Sequence, residues 1–189
     1  MPNSIRNFFS CILLLLIVGC KSQTLSLKET TNQAVKELGP NPYFVVNGEP
    51  VDQKTFVSLN KADISTLSII YGKEATDLFN ENGKDGVITV QTKTYAINKF
   101  QSTFKALSDE YNEMIDMYKD SEIQYILNKK ILKEDFEGTL SFIDETLLKS
   151  IKIIDSTKLS RKYGIIDKKV GVVIKSKPPK DLYNSKKKF

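Results

Sequence analysis

The stretch that most constrains this chain is Pro42–Val51, PYFVVNGEPV. Two short apolar runs flank an Asn-Gly pair, and a two-residue hairpin turn needs positive φ at both central positions, which Asn47 and Gly48 tolerate best. The chain writes a second such stretch at Ile123–Leu132, IQYILNKKIL, where Asn128-Lys129 stands in the place of Asn47-Gly48. The second turn has therefore lost its easiest chemistry while its flanking apolar runs remain.

The elements after each hairpin keep the same order. After the first, the letters predict a short helix near Asn60–Ile64, a strand at Leu67–Tyr71, a helix at Lys73–Phe79 and a β-branched strand from Gly86 to Thr92. Gly83 and Gly86 are expected to turn the backbone with positive φ between that helix and strand. In the second half, Asn128 answers Asn47 at an offset of about 81, and Leu147–Ile154 answers Asp63–Ile70 at about 84. Tyr163-Gly164 answers Phe79-Asn80, and the run from Gly171 answers the run from Gly86, which makes Gly171 the expected turn glycine of the second half. Between the halves Ile97, Phe100, Phe104, Leu107, Tyr111, Met114, Ile115 and Tyr118 recur at spacings of three and four, the stripe of one amphipathic helix. Such a stripe either packs on the sheets as core or docks a partner. The fold class expected is α+β: two diverged copies of a small strand-rich αβ unit, 42–93 and 123–177, joined by an amphipathic helix within 94–122.

The first unit resembles the C-terminal part of the plug domain of TonB-dependent outer-membrane receptors. The resemblance lies in Asp63-Ile64 leading into Leu67 and Ile69, in Ala75-Thr76 and Leu78-Phe79, and in Gly83, Gly86-Val87-Ile88 and Thr92-Lys93. That family usually has Gly where this chain has Asn80, and an Arg where it has Asn82. The resemblance implies a plug-like fold unit. It does not imply transport, because no long series of alternating membrane strands follows Lys93.

The opening segment points to an address. Arg6 precedes an apolar stretch, Phe8–Val18, too short to span a bilayer, which needs about 20 residues, so residues 1–19 read as a signal peptide. Ile17-Val18-Gly19-Cys20 resembles the lipobox of bacterial lipoproteins, which makes Cys20 the lipidated mature N-terminus; an ordinary secretory signal with an incidental cysteine is the alternative. Residues 20–41 are then a polar tether with a possible short helix near Glu29–Leu38. The residues after Cys20 are Lys21, Ser22 and Gln23 rather than an acidic cluster, and by resemblance to sorted lipoproteins this favours the outer membrane, facing the periplasm. Cys11 lies in the discarded segment and Cys20 is blocked by lipid, so the folded part has no thiol left for a disulfide or a nucleophile.

Composition narrows the chemistry further. The chain has no His and no Trp, which excludes imidazole acid–base catalysis, His-anchored metal sites and a Ser-His-Asp triad. In the loop NENGKDG, Lys84 stands where a calcium site needs an oxygen ligand. No metal, cofactor or catalytic residue is expected. Residues 178–189 combine Pro178-Pro179 with many lysines and read as a basic disordered tail. Nucleic acid is not an expected partner, since the basic residues are nearly all Lys rather than the Arg forks of base readout. Two functional classes remain: an envelope lipoprotein, bound to the membrane by its N-terminal lipid, whose plug-like units bind another envelope protein or serve a structural role, or a small periplasmic enzyme using a Ser/Lys pair, such as Ser108 with Lys105 or Ser156 with Lys158, or a carboxylate site.

Overall fold

A computed structural model describes residues 38–177. Cys20, the apolar opening segment, all but the end of the tether and the basic tail lie outside the described residues.

The first sheet contains β1 (Tyr43–Val46), β2 (Glu49–Val51), β3 (Ile64–Ile70) and β4 (Val87–Thr92), in the order β2-β1-β4-β3. β1 runs antiparallel to β2 and parallel to β4, and β3 closes the sheet antiparallel to β4. The second sheet contains β5 (Ile123–Leu127), β6 (Lys130–Ile131), β7 (Leu148–Asp155) and β8 (Val170–Ser176), in the order β6-β5-β8-β7 with the same directions. Even the register irregularity recurs, between Ile64 and Thr66 in one sheet and between Leu148 and Ser150 in the other. Among the described residues the fold is thus mixed α and β, with two four-stranded sheets of one topology.

Six α-helices, α1 (Gln53–Val57), α2 (Gly72–Phe79), α3 (Lys93–Leu107), α4 (Asp109–Ile115), α5 (Glu137–Ser141) and α6 (Ser156–Tyr163), accompany the sheets, with three short 3-10 helices at Lys61–Asp63, Asn80–Gly83 and Asp120–Glu122. In each unit a short helix follows the hairpin, α1 or α5, and plugs one face of its sheet with a fully buried side chain, Phe56 or Leu140. A second helix, α2 or α6, precedes the last strand and sits on the opposite face through Ala75 or Leu159. Neither α1 nor α5 carries enough letters to show a helical period, and sequence reasoning found neither.

Both hairpin turns are left-handed. Asn47 and Gly48 have φ of 56° and 90°, and Asn128 and Lys129 have 48° and 75°. Lys129 thus holds a conformation that costs a side chain roughly 1–2 kcal/mol. The asparagine of each turn also bonds to the end of a strand. Asn47 Oδ1 accepts from the Thr92 amide at 2.8 Å, and Asn128 Oδ1 accepts from the Ser176 amide at 3.1 Å while its Nδ2 donates to the Ser176 carbonyl. In each unit the turn asparagine pins the end of the last strand.

The structure corrects three expectations. The single amphipathic helix is two helices: Ser108 leaves helical geometry and its Oγ accepts from the Tyr111 amide at 3.1 Å, capping α4 and ending α3. Phe100, Phe104, Tyr111 and Met114 are buried against the second sheet, whereas Leu107, beside the break, is 42% exposed. Gly83 does not have positive φ; it lies where a Cβ would collide with the carbonyl of Ala75 in α2, so close approach rather than turn geometry demands glycine. Gly171 is not a turn residue at all. It lies within β8 opposite Ile154 and Gln124, so its counterpart in the first sheet is Val87, not Gly86.

The two units meet through α3 and α5. Thr92 ends β4 and its Oγ1 accepts from the Tyr95 amide, so the first sheet passes into α3 without a loop. α5 packs on α3 and on β3, where Gly138 approaches Thr66 and Ser65 too closely for any side chain. Ser141 Oγ lies 2.9 Å from Gln91 Oε1, and Lys93 pairs with Asp135 at 2.8 Å.

Candidate functional site

The residues singled out in the sequence do not converge. Asn47 and Gly48 lie at one end of the first sheet, Gly83 and Gly86 at the other, where β4 begins, and Gly171 lies in the second sheet. Gly86, with φ of 88°, makes the expected turn, its Cα facing the Leu38 side chain and its carbonyl accepting from the Tyr43 amide at 2.9 Å. These are framework positions. In the Ser/Lys pairs, Lys105 is bound to Asp116 at 3.0 Å, Lys158 is bound to Asp155 at 3.3 Å, and Ser108 Oγ caps α4. Among the described residues no three acidic or thiol groups gather as metal ligands, and no helix is long and apolar enough to cross a membrane.

Buried polar groups are framework too. The hydroxyls of Tyr111 and Tyr125 lie 3.0 Å apart within a ring cluster formed by Phe100, Phe104 and Phe136. Burial pushes Tyr125 up to about 12 and Tyr111 higher still, so both phenols are neutral at any ordinary pH and the pair is a satisfied core hydrogen bond. Ser65 Oγ and Glu137 Oε2, at the seam between the units, are buried without a hydrogen-bond partner among the described residues.

The surface is more distinctive. Tyr43–Thr92 carries four lysines against seven carboxylates, whereas Ile123–Ser176 carries eleven Lys and Arg against seven carboxylates. The two units share a topology and have opposite charge. Four of those eleven, Lys152, Lys158, Arg161 and Lys162, line a groove beside β7, which at eight residues is the longest strand among the described residues and lies at the sheet edge. The open groove, of about 570 Å³, is lined by Lys152, Ile153 and Ile154 of β7, by Val173 of β8, by Lys158, Arg161 and Lys162 of α6, and by Glu110 of α4. An edge strand offers a row of backbone donors and acceptors, and the flanking cations select an acidic chain. Sequence reasoning missed this site because the lysines are spread between a strand and a helix. Only the pairing of β7 with β8 and the seating of Leu159 bring them to one side.

No protein-family model, curated protein or solved structure matches the chain.

Proposed function

We propose that the protein is a non-catalytic binding module of the bacterial cell envelope, anchored through lipid on Cys20 to the outer membrane and facing the periplasm. Its two units are diverged copies of one plug-like αβ unit, and the second takes an acidic, extended segment of another envelope protein along β7. The observation that carries the binding role is the long edge strand flanked by Lys152, Lys158 and Arg161 over an open groove. Strand addition supplies affinity through main-chain hydrogen bonds, while the cations set the sign of the partner. The matching strand order, the recurring register shift and the paired turn asparagines support descent of both units from one.

The anchor and the groove are tested separately. Cys20→Ser is expected to abolish incorporation of labelled palmitate and release the protein from membranes; a variant that still incorporates the label sinks the anchor. A photo-crosslinker placed at Lys152 in cells is expected to trap one defined envelope protein, and Lys158→Glu with Arg161→Glu to remove that adduct. If the adduct survives the charge reversal, or one at Leu78 on α2 gives the same species, the groove is not the binding site.

A further inference from the structure

β3 is an edge strand whose sequence, Ile64-Ser65-Thr66-Leu67-Ser68-Ile69-Ile70, holds no charged residue and no proline. Folded chains usually blunt such an edge with lysine or proline, because its row of main-chain donors and acceptors is a template for another strand. The second unit reaches this strand at its N-terminal end, where Gly138 of α5 sits against Ser65 and Thr66. Leu67–Ile70 follow that contact, with Ser68 exposed.

β3 and β7 are the same strand of the two sheets, in the same register. Ile69 faces Ile88 as Ile153 faces Val172, and Ile70 faces Val87 as Ile154 faces Gly171. The helices α2 and α6, each of eight residues, begin at the same distance from those pairs. This equivalence sets Ser68 in the place of Lys152, Glu74 in the place of Lys158, Asp77 in the place of Arg161 and Leu78 in the place of Lys162. Where the second unit lines its groove with cations, the first therefore has a hydroxyl, two exposed carboxylates and a leucine that is 60% exposed. Neither Glu74 nor Arg161 forms an ion pair among the described residues. Asp77 pairs with Lys73 and Lys158 with Asp155, but all four side chains are more than half exposed, and local pairs of this kind are exchanged at little cost.

We infer that the β3 edge of one copy adds antiparallel to the β7 edge of a second copy, with Glu74 and Asp77 of α2 facing Lys158 and Arg161 of α6 across the joint. Two edges of one topology, joined about an axis normal to the sheets, run antiparallel and place their helices side by side on the same face. A β7–β7 joint would set Lys158 and Arg161 against their own kind, and a β3–β3 joint would do so with Glu74 and Asp77, so charge selects the mixed pair. The joint uses two different surfaces, and each added copy leaves one of each open, which makes the association head-to-tail. The inference rests on β7 being a docking edge, as proposed above, and leaves the envelope partner unspecified. A second copy and the partner's acidic segment then compete for one edge.

Two full-length forms with different tags, one of them carrying a photo-crosslinker at Ser68, are purified together in mild detergent and irradiated. An adduct bearing both tags is expected, its crosslinked peptide mapping to β7 or α6. Glu74→Lys with Asp77→Lys in the crosslinker-bearing form is expected to reduce the adduct about tenfold, since two exposed pairs turn from attraction to repulsion. Lys158→Glu with Arg161→Glu in the other form is expected to restore it. The inference is overturned by the absence of a doubly tagged adduct, by a crosslink that maps to β3 or outside the second unit, or by a yield that the first reversal leaves unmoved or the second fails to restore. If Lys152 traps no envelope protein in cells while the doubly tagged adduct forms, the envelope partner fails and self-association stands.

Discussion

Leu159 and Gly171 stand in the second unit at the topological positions that Ala75 and Val87 hold in the first. In the first unit a small side chain on the helix faces a larger one on the strand, and both are fully buried. In the second the sizes are exchanged: a Cβ added at Gly171 would lie 2.7 Å from Leu159 Cδ2 and 2.8 Å from Ile154 Cγ1. Gly171→Val alone therefore overpacks the site, at a cost of about 1–3 kcal/mol. Leu159→Ala alone removes three carbons from a side chain with no exposed surface and leaves a cavity, costing about 2–5 kcal/mol. The double variant recreates the Ala/Val arrangement of the first unit, and a volume-conserving exchange costs less than about 1.5 kcal/mol. The expected coupling is thus at least about 1.5 kcal/mol, well beyond the few tenths that separate independent sites. Urea unfolding of the wild type, both single variants and the double variant measures it. If the two single losses simply add, α6 does not seat on β8 as α2 seats on β4, and the equivalence of the two units fails with it.

Gly86→Val forces a β-branched residue to a φ of 88° against Leu38, and a loss of at least about 2 kcal/mol is expected in thermal unfolding; an unchanged midpoint refutes the assigned turn. Lys129→Gly relieves the left-handed turn of the second hairpin and should stabilise the protein by about 0.5–1 kcal/mol, whereas destabilisation would mean the lysine side chain packs in a way the turn geometry does not require. Raising the pH tests the tyrosine pair. An unfolded phenol titrates near 10.0 while Tyr125 holds its proton up to about 12, so its contribution is intact below pH 10 and is lost as the pH rises toward 12. Phenolate absorbance should lag accordingly, and Tyr125→Phe should remove the steepest part of the loss; a titration complete by about pH 10.5 refutes the burial.

Local chemistry made much of the first unit legible. Asn47-Gly48 declares its hairpin, and the β-branched run after Gly86 declares β4. The α2 helix also begins and ends within a residue of its expected bounds. The second unit was harder because its signals are tertiary. Gly171-Val172-Val173 imitates Gly86-Val87-Ile88 in letters, but its glycine makes room for Leu159, and the true register is one residue away. Three additional residues, Lys133–Asp135, separate the second hairpin from α5, and one of them supplies the carboxylate that reaches Lys93 across the seam. Ser108 was invisible as a helix break because the apolar stripe continues across it: Phe104 and Tyr111 pack ring to ring at 5.5 Å on either side of the interruption. The groove beside β7 had no local signature at all, since its cations come from separate elements.

The position of β1 has a mechanical consequence. It lies inside its sheet, paired on both sides, and it runs parallel to β4. Just ahead of it, the Gly39 and Asn41 amides bond to Asp85 and the Tyr43 amide bonds to the Gly86 carbonyl. Tension entering from the N-terminal side and directed along β1 would meet these bonds first, then the ladder from Tyr43–Val87 to Val46–Val90 in shear, so that its rungs share the force instead of opening one at a time. A pull across the sheet would meet no such resistance. The attachment would therefore be stiff along the strand and comparatively weak to peeling, so the direction of stress would decide whether the first unit survives it.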